Sequence, residues 1–77
     1  PNPVADKTAF DFYLPKSGNA TISFTDAAGK TLKVIENNFS QGMNTISISR
    51  ADISAQGVIF YSIESKFGLV TKQMIVL

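Results

Sequence analysis

Residues 8–14 alternate between large apolar side chains and polar or smaller ones. Phe10, Phe12 and Leu14 fall on one face, with Ala9, Asp11 and Tyr13 on the other. Alternation of this kind predicts a half-buried strand, because successive side chains of extended backbone point to opposite faces. The pattern returns at 20–25, where Ala20, Ile22 and Phe24 face inward and Thr21, Ser23 and Thr25 outward. Between the two, Pro15-Lys16-Ser17-Gly18-Asn19 is turn chemistry. Asp26-Ala27-Ala28-Gly29 fits a type I turn closed by a glycine in the left-handed region, so the chain should double back as a tight hairpin. On the returning strand, 30–36, Leu32 and Val34 are expected inward and Thr31 and Lys33 in solvent. Ile35 is then the one apolar residue on the wet side.

Residues 36–42 break the regularity with Asn37, Asn38, Ser40 and Gly42, and Phe39 is expected to plug the edge of the core. Alternation resumes at 43–49, with Ile46 and Ile48 inward and Thr45, Ser47 and Ser49 outward. Residues 50–56 are mostly polar around Ile53 and cross to the last pair of strands. The first of that pair, 57–64, is β-branched and aromatic at Val58, Ile59, Phe60, Tyr61 and Ile63, residue types that suit a pleated, half-buried surface. Both of its faces are apolar, and Ile59, Tyr61 and Ile63 are expected inward. Ser65-Lys66-Phe67-Gly68 turns the chain into a final strand, 69–77, which closes on Met74-Ile75-Val76-Leu77.

No segment shows a 3.6-residue period. Turn signals recur at roughly 8–12-residue intervals, the spacing of an all-β sandwich. The expected architecture is an antiparallel immunoglobulin-like β-sandwich of six strands, or seven if part of the irregular stretch pairs. It forms a single domain over residues 1–77. Its expected core is Phe10, Phe12, Ile22, Phe24, Leu32, Val34, Ile46 and Ile48. Pro1-Asn2-Pro3 reads as the extended end of a linker, since proline fixes φ and biases its predecessor away from helix.

Composition narrows the chemistry. Apolar residues make up 44% of the 77 and charged residues 17%, which argues against a disordered segment. The net charge is +1, and the seven basic residues are scattered, so a nucleic-acid partner is not expected. No apolar run approaches the ~18 residues that span a bilayer. The chain opens on Pro1 without a signal-peptide pattern, and is read as a processed piece of a longer precursor. It has no cysteine and no histidine, which removes disulfides, thiolate zinc sites, the thiol nucleophile and the usual general base. The carboxylates Asp6, Asp11, Asp26, Glu36, Asp52 and Glu64 sit on different turns and strands, where a hydrolytic pair would need two facing one substrate. No closely spaced Asp/Asn array suggests calcium at Asp26 or Asp52. No catalysis, metal or cofactor is therefore expected. Asn19-Ala20-Thr21 and Asn38-Phe39-Ser40 match the N-glycosylation triplet, which matters only in a eukaryotic secretory context. The aromatic residues include no tryptophan, and several lie at inward parity, which favours core packing over a sugar platform.

An ordered series of motifs adds a functional reading. Pro1-Asn2-Pro3-Val4 precedes the Phe-x-Phe-x-Leu-Pro strand, and Asp26-Ala27-Ala28-Gly29-Lys30 enters the next hairpin. Gly42 opens a strand, and Ile53-Ser54-Ala55-Gln56-Gly57-Val58 leads into an aromatic strand. Thr71-Lys72-Gln73-Met74-Ile75-Val76 then stands near the end. In this order and spacing the series resembles the C-terminal sorting domain of type IX secretion cargo. Related immunoglobulin-like modules share the Asp-x-x-Gly and Gly-Val patterns. The resemblance implies a domain of surface or secreted proteins of Bacteroidota, carried behind an N-terminal passenger in cis. It also implies recognition by an outer-membrane translocon, and removal by a sortase-like cysteine peptidase. Lys72-Gln73 stands where the family has a Lys-Lys pair, the terminal basic residue is absent, and Ile59 occupies the usual aromatic position after Gly-Val. The alternative is an accessory module that spaces or docks an extracellular enzyme or adhesin. A chain ending at Leu77 favours sorting.

The candidate recognition residues are Lys72, Gln73, Met74, Ile75, Val76 and Leu77. An apolar strand at a terminus must be paired, or it is an exposed edge. Val70, Met74 and Val76 share one face, and Leu69, Thr71, Ile75 and Leu77 the other. One set should pack on the strand from Gly57 and the other remain available, with Lys72 and Gln73 supplying polar registration.

Overall fold

A computed structural model describes residues 6–77, so the opening read at Pro1-Asn2-Pro3 lies outside the described residues. Within them the chain forms β1 (Lys7–Leu14), β2 (Gly18–Asp26), β3 (Thr31–Phe39), β4 (Gly42–Ser49), β5 (Gly57–Ser65) and β6 (Gly68–Val76), with one 3₁₀ turn at Arg50–Asp52. All pairings are antiparallel. Four strands make one sheet in the order β3-β2-β5-β6, and β1 with β4 makes a second. The described residues thus form a six-stranded β-sandwich with one large and one small leaf. The irregular stretch does not add a seventh strand; its first residues extend β3 to Phe39.

The core lies where the small leaf covers the large one. Ala20, Ile22 and Phe24 of β2 are fully buried, facing Phe12 and Leu14 of β1 and Ile46 and Ile48 of β4. Each set came from alternation, since a period of two commits a strand to one buried face. Aromatic rings join the leaves. Phe10 is half-buried, with its ring centroid 4.5 Å from Tyr61 and 6.2 Å from Phe24. Phe12 meets Phe39 edge to face at 5.0 Å, so Phe39 does close the end of the core. Ile53 is buried beneath the crossing from β4 to β5, and on β5 Ile59 is buried while Tyr61 and Ile63 pack against the core.

On β3 the expected faces are exchanged. Phe24 pairs with Lys33 but Thr25 pairs with Thr31, so Leu32 is an extra residue in a β-bulge. A bulge sets two residues against one and shifts the parity of everything beyond it. Ile35 therefore lies opposite Ile22 and packs on the core, whereas Val34 turns outward and is 53% exposed. Val34 is not a core residue and Ile35 is not on the wet face. Leu32 stays partly buried against the core, and Lys33 shares its side of the sheet.

The turns follow their sequence chemistry. Gly29 has φ +89°, and its N–H donates to the Asp26 carbonyl at 3.0 Å. The Asp26 carboxylate accepts from the N–H groups of Ala28 and Lys30, tying the loop to the residue that starts it. Between β3 and β4, the Asn44 side chain donates to the Ser40 carbonyl and accepts from the Ser40 N–H, holding that connection closed.

Candidate functional site

β6 forms one edge of the large sheet, bonded along its length to β5, with no second strand beside it among the described residues. Its register places Lys72 opposite Tyr61, Gln73 opposite Phe60, Met74 opposite Ile59, Ile75 opposite Val58 and Val76 opposite Gly57. Directly paired residues share a face. Lys72, Met74 and Val76 therefore belong to the inner row with Val70, while Gln73 and Ile75 belong to the outer row with Leu69 and Thr71. Lys72 and Gln73, adjacent in sequence, point to opposite sides of the sheet and cannot form one polar patch.

Burial divides the strand again. Met74 and Val76 are 4% and 2% exposed, held under the small leaf. Val70 and Lys72 lie in the same row but beyond its reach, and both are exposed. On the outer face Ile75 and its partner Val58 are both partly bared, and the Ser62 and Thr71 hydroxyls are 3.1 Å apart. Leu77 follows the strand and is 57% exposed. Of the six candidate recognition residues, Lys72, Gln73, Ile75 and Leu77 are thus accessible on the folded domain.

Beside the inner row runs a groove of about 480 Å³, bordered by β1 and floored by β5 and β6. Tyr13, Met43 and Leu69 contribute to it, and none of them stood among the candidates. The available signal was parity: each is a large apolar residue at a position whose alternation points it away from the core. Tyr13 and Met43 are moreover direct cross-strand partners. Burial of the Tyr61 phenol beneath this region pushes its pKa above the ordinary value of 10.0.

The acidic groups do not converge. Among the described residues no cluster of three or more His, Cys, Asp or Glu could hold a metal ion. The Asp52 carboxylate caps the 3₁₀ turn, accepting from the Ser49 N–H at 2.8 Å and the Ser49 hydroxyl at 3.1 Å, and lies 3.6 Å from Lys33 Nζ. These hydrogen bonds, with the smaller pull of Lys33, hold its pKa below the usual carboxylate value. Asp11 accepts from the Thr45 hydroxyl at 2.7 Å on the outside of the small leaf. The asparagines of the two glycosylation-like triplets, Asn19 and Asn38, are exposed partners on β2 and β3. Among the described residues no helix is long and apolar enough to cross a membrane.

The described residues thus make a small two-leaved sandwich with β6 at the margin of its large sheet and an apolar groove beside it. A family model described as a secretion system C-terminal sorting domain matches residues 1–77, and the chain belongs to that family, the sorting domains of type IX secretion. Its function is that of a C-terminal sorting signal for type IX export, and the spacer reading is not favoured. The protein that carries it is a secretion cargo with an N-terminal passenger, exported across the outer membrane to the cell surface or beyond. The family is not a catalytic one. Neither the curated proteins nor the solved structures yield a significant match.

Proposed function

We propose that the outer-membrane translocon reads β6 through the exposed side chains of Lys72, Gln73, Ile75 and Leu77, together with main-chain groups along the strand. In this reading residues 1–77 are the C-terminal domain of a larger precursor, and a sortase-like peptidase acts on that precursor after transit. Met74 and Val76 contribute by holding the strand in place. The observation that supports this is the position of β6: among the described residues it is the last strand of its sheet, anchored by two buried residues and with its other side chains exposed. A strand at the margin of a sheet can offer main-chain hydrogen bonds for affinity and alternating side chains for specificity. The domain itself is a binding element without catalytic activity, in keeping with its lack of histidine and cysteine and the spread of its acids.

The test is a fusion of residues 1–77 to a periplasmic reporter in a type IX-competent cell. The wild-type fusion should reach the surface. Lys72→Glu and Gln73→Glu lie at exposed positions and should leave stability within about 0.5 kcal/mol, while surface delivery falls. If both substitutions leave the melt and the delivery intact, side-chain reading at these positions is wrong. Delivery that survives removal of residues 74–77 overturns the assignment of the signal to this strand.

A further inference from the structure

The unequal leaves leave one part of the large sheet uncovered, and its lining is not that of ordinary surface. Of the nine exposed large hydrophobic residues among those described, five, Tyr13, Met43, Phe67, Leu69 and Val70, line the groove beside β1. Isolated exposed hydrophobics are normal on a protein surface; a contiguous set marks an interaction site. Its floor is built from Tyr61 and Ile63 of β5 with Val70 and Lys72 of β6.

The wall of the groove carries a second feature. Four consecutive β1 residues, Asp11 to Leu14, border it, against Met43 alone from β4. The edge of β1 facing the groove is thus the one that β4 does not occupy. Among the described residues β1 pairs with no other strand. The Arg50 N–H donates to the Asp6 carbonyl, and this pair continues the ladder one step beyond Lys7 and Ser49. Bonding positions alternate along an antiparallel ladder. The even-numbered residues of β1 therefore bond to β4, and the N–H and C=O groups of Ala9, Asp11 and Tyr13 face the open side.

Charge supplies the third feature. Among the described residues Lys33 pairs with Asp52, and no carboxylate pairs with the Lys72 ammonium. Asp11, the other charged group of the groove, is engaged by the Thr45 hydroxyl. The complement of this floor is a chain segment that is apolar at alternate positions and carries one negative charge.

We propose that the groove takes an extended polypeptide strand of another protein, which adds to the open edge of β1. Its apolar side chains cover Tyr61, Ile63 and Val70, and a carboxylate meets Lys72. Such a strand supplies the roof that the small leaf lacks, by the geometry of β-strand addition. The site shares Lys72 with the strand read in export but uses the edge of β1 rather than that of β6, and it stands whether or not β6 is read.

The experiment uses the purified domain and a short fluorescent peptide that alternates valine and threonine, with glutamate replacing the central valine. Saturable binding is expected, weakened about tenfold or more when the glutamate is changed to lysine. Lys72→Glu should reverse that preference, and Val70→Asp should abolish binding. Both residues are exposed, so unchanged thermal melts establish that the variants fold. In the complex, amide exchange should slow at Ala9, Asp11 and Tyr13. Lack of saturable binding, a charge preference unmoved by Lys72→Glu, or protection confined to β6 would each overturn the proposal. So would concentration-dependent dimerisation that Val70→Asp abolishes, because the occupant would then be a second copy of this chain. Equal partitioning of the wild type and Val70→Asp onto anionic vesicles, without peptide binding, would also overturn it.

Discussion

Met74 separates packing from recognition on the C-terminal strand. Its side chain is 4% exposed and stands directly opposite Ile59, which is fully buried. Met74→Ala removes the thioether from that position and should cost about 2–5 kcal/mol, the range for truncating a buried Met or Leu. A domain of this length has about 4–12 kcal/mol in total, at about 0.05–0.15 kcal/mol per residue. The melting temperature should accordingly fall by about 8–40 °C, since each kcal/mol shifts a domain of this size by about 4–8 °C. Met74→Leu nearly conserves volume and should cost less than about 1.5 kcal/mol. Urea and thermal melts of the three proteins give the stability order, and surface display of a fused reporter gives export. If Met74 acts by packing, export follows the melt: Met74→Ala loses both and Met74→Leu keeps both. A Met74→Leu domain that melts as the wild type but is not exported would refute this reasoning, because the side chain would then be read directly. A Met74→Ala domain with an unchanged melt would refute the burial itself.

Phe24, fully buried between Phe10 and Tyr61, should lose about 3–5 kcal/mol on Phe24→Ala, bringing the domain close to unfolding in a urea titration. On β3, Val34→Thr should change stability by less than about 0.5 kcal/mol, and Ile35→Ala by more, an order that reverses if the bulge at Leu32 is absent. Asp52 has a folded pKa below its ordinary 3.8, so its carboxylate contributes stability above that value and loses it as pH falls through the lower folded pKa. The stability gap between wild type and Asp52→Asn should therefore be widest near neutral pH and close in acid; a gap independent of pH would remove the charge from the explanation. Melts with EDTA and with added calcium should coincide, and a calcium-dependent rise in melting temperature would reveal a metal site.

The sequence carried the fold wherever one face of a strand meets the core along its whole length. Ile22 and Phe24, or Ile46 and Ile48, could be placed by parity alone because a slip of one residue would expose the entire set. Parity failed on β3 because the bulge follows directly on the Asp26–Gly29 turn. The alternation beyond it looks equally regular from either starting residue, and Val34 and Ile35 are equally apolar. The candidate site was legible in half. That Lys72 and Gln73 face opposite ways follows from a period of two. Where burial stops along β6, between Lys72 and Met74, depends on how far β1 and β4 extend above it, and no local pattern encodes the reach of a different sheet. The groove was missed for the same reason, since Tyr13 and Leu69 become neighbours only when the two leaves are superposed.

The division into two leaves also determines how the domain carries a load. The first and last described strands, β1 and β6, share no ladder: one is bonded to β4 and the other to β5. A pull applied between them cannot be borne by a row of main-chain hydrogen bonds sheared in concert. It must pass from leaf to leaf through side-chain contacts such as Phe10 on Tyr61 and Phe12 on Phe39. Dispersion contacts are individually small and have no preferred direction, so under tension they slide and give way in succession. The sandwich should resist heat through its core and yet part along the plane between its leaves under modest force.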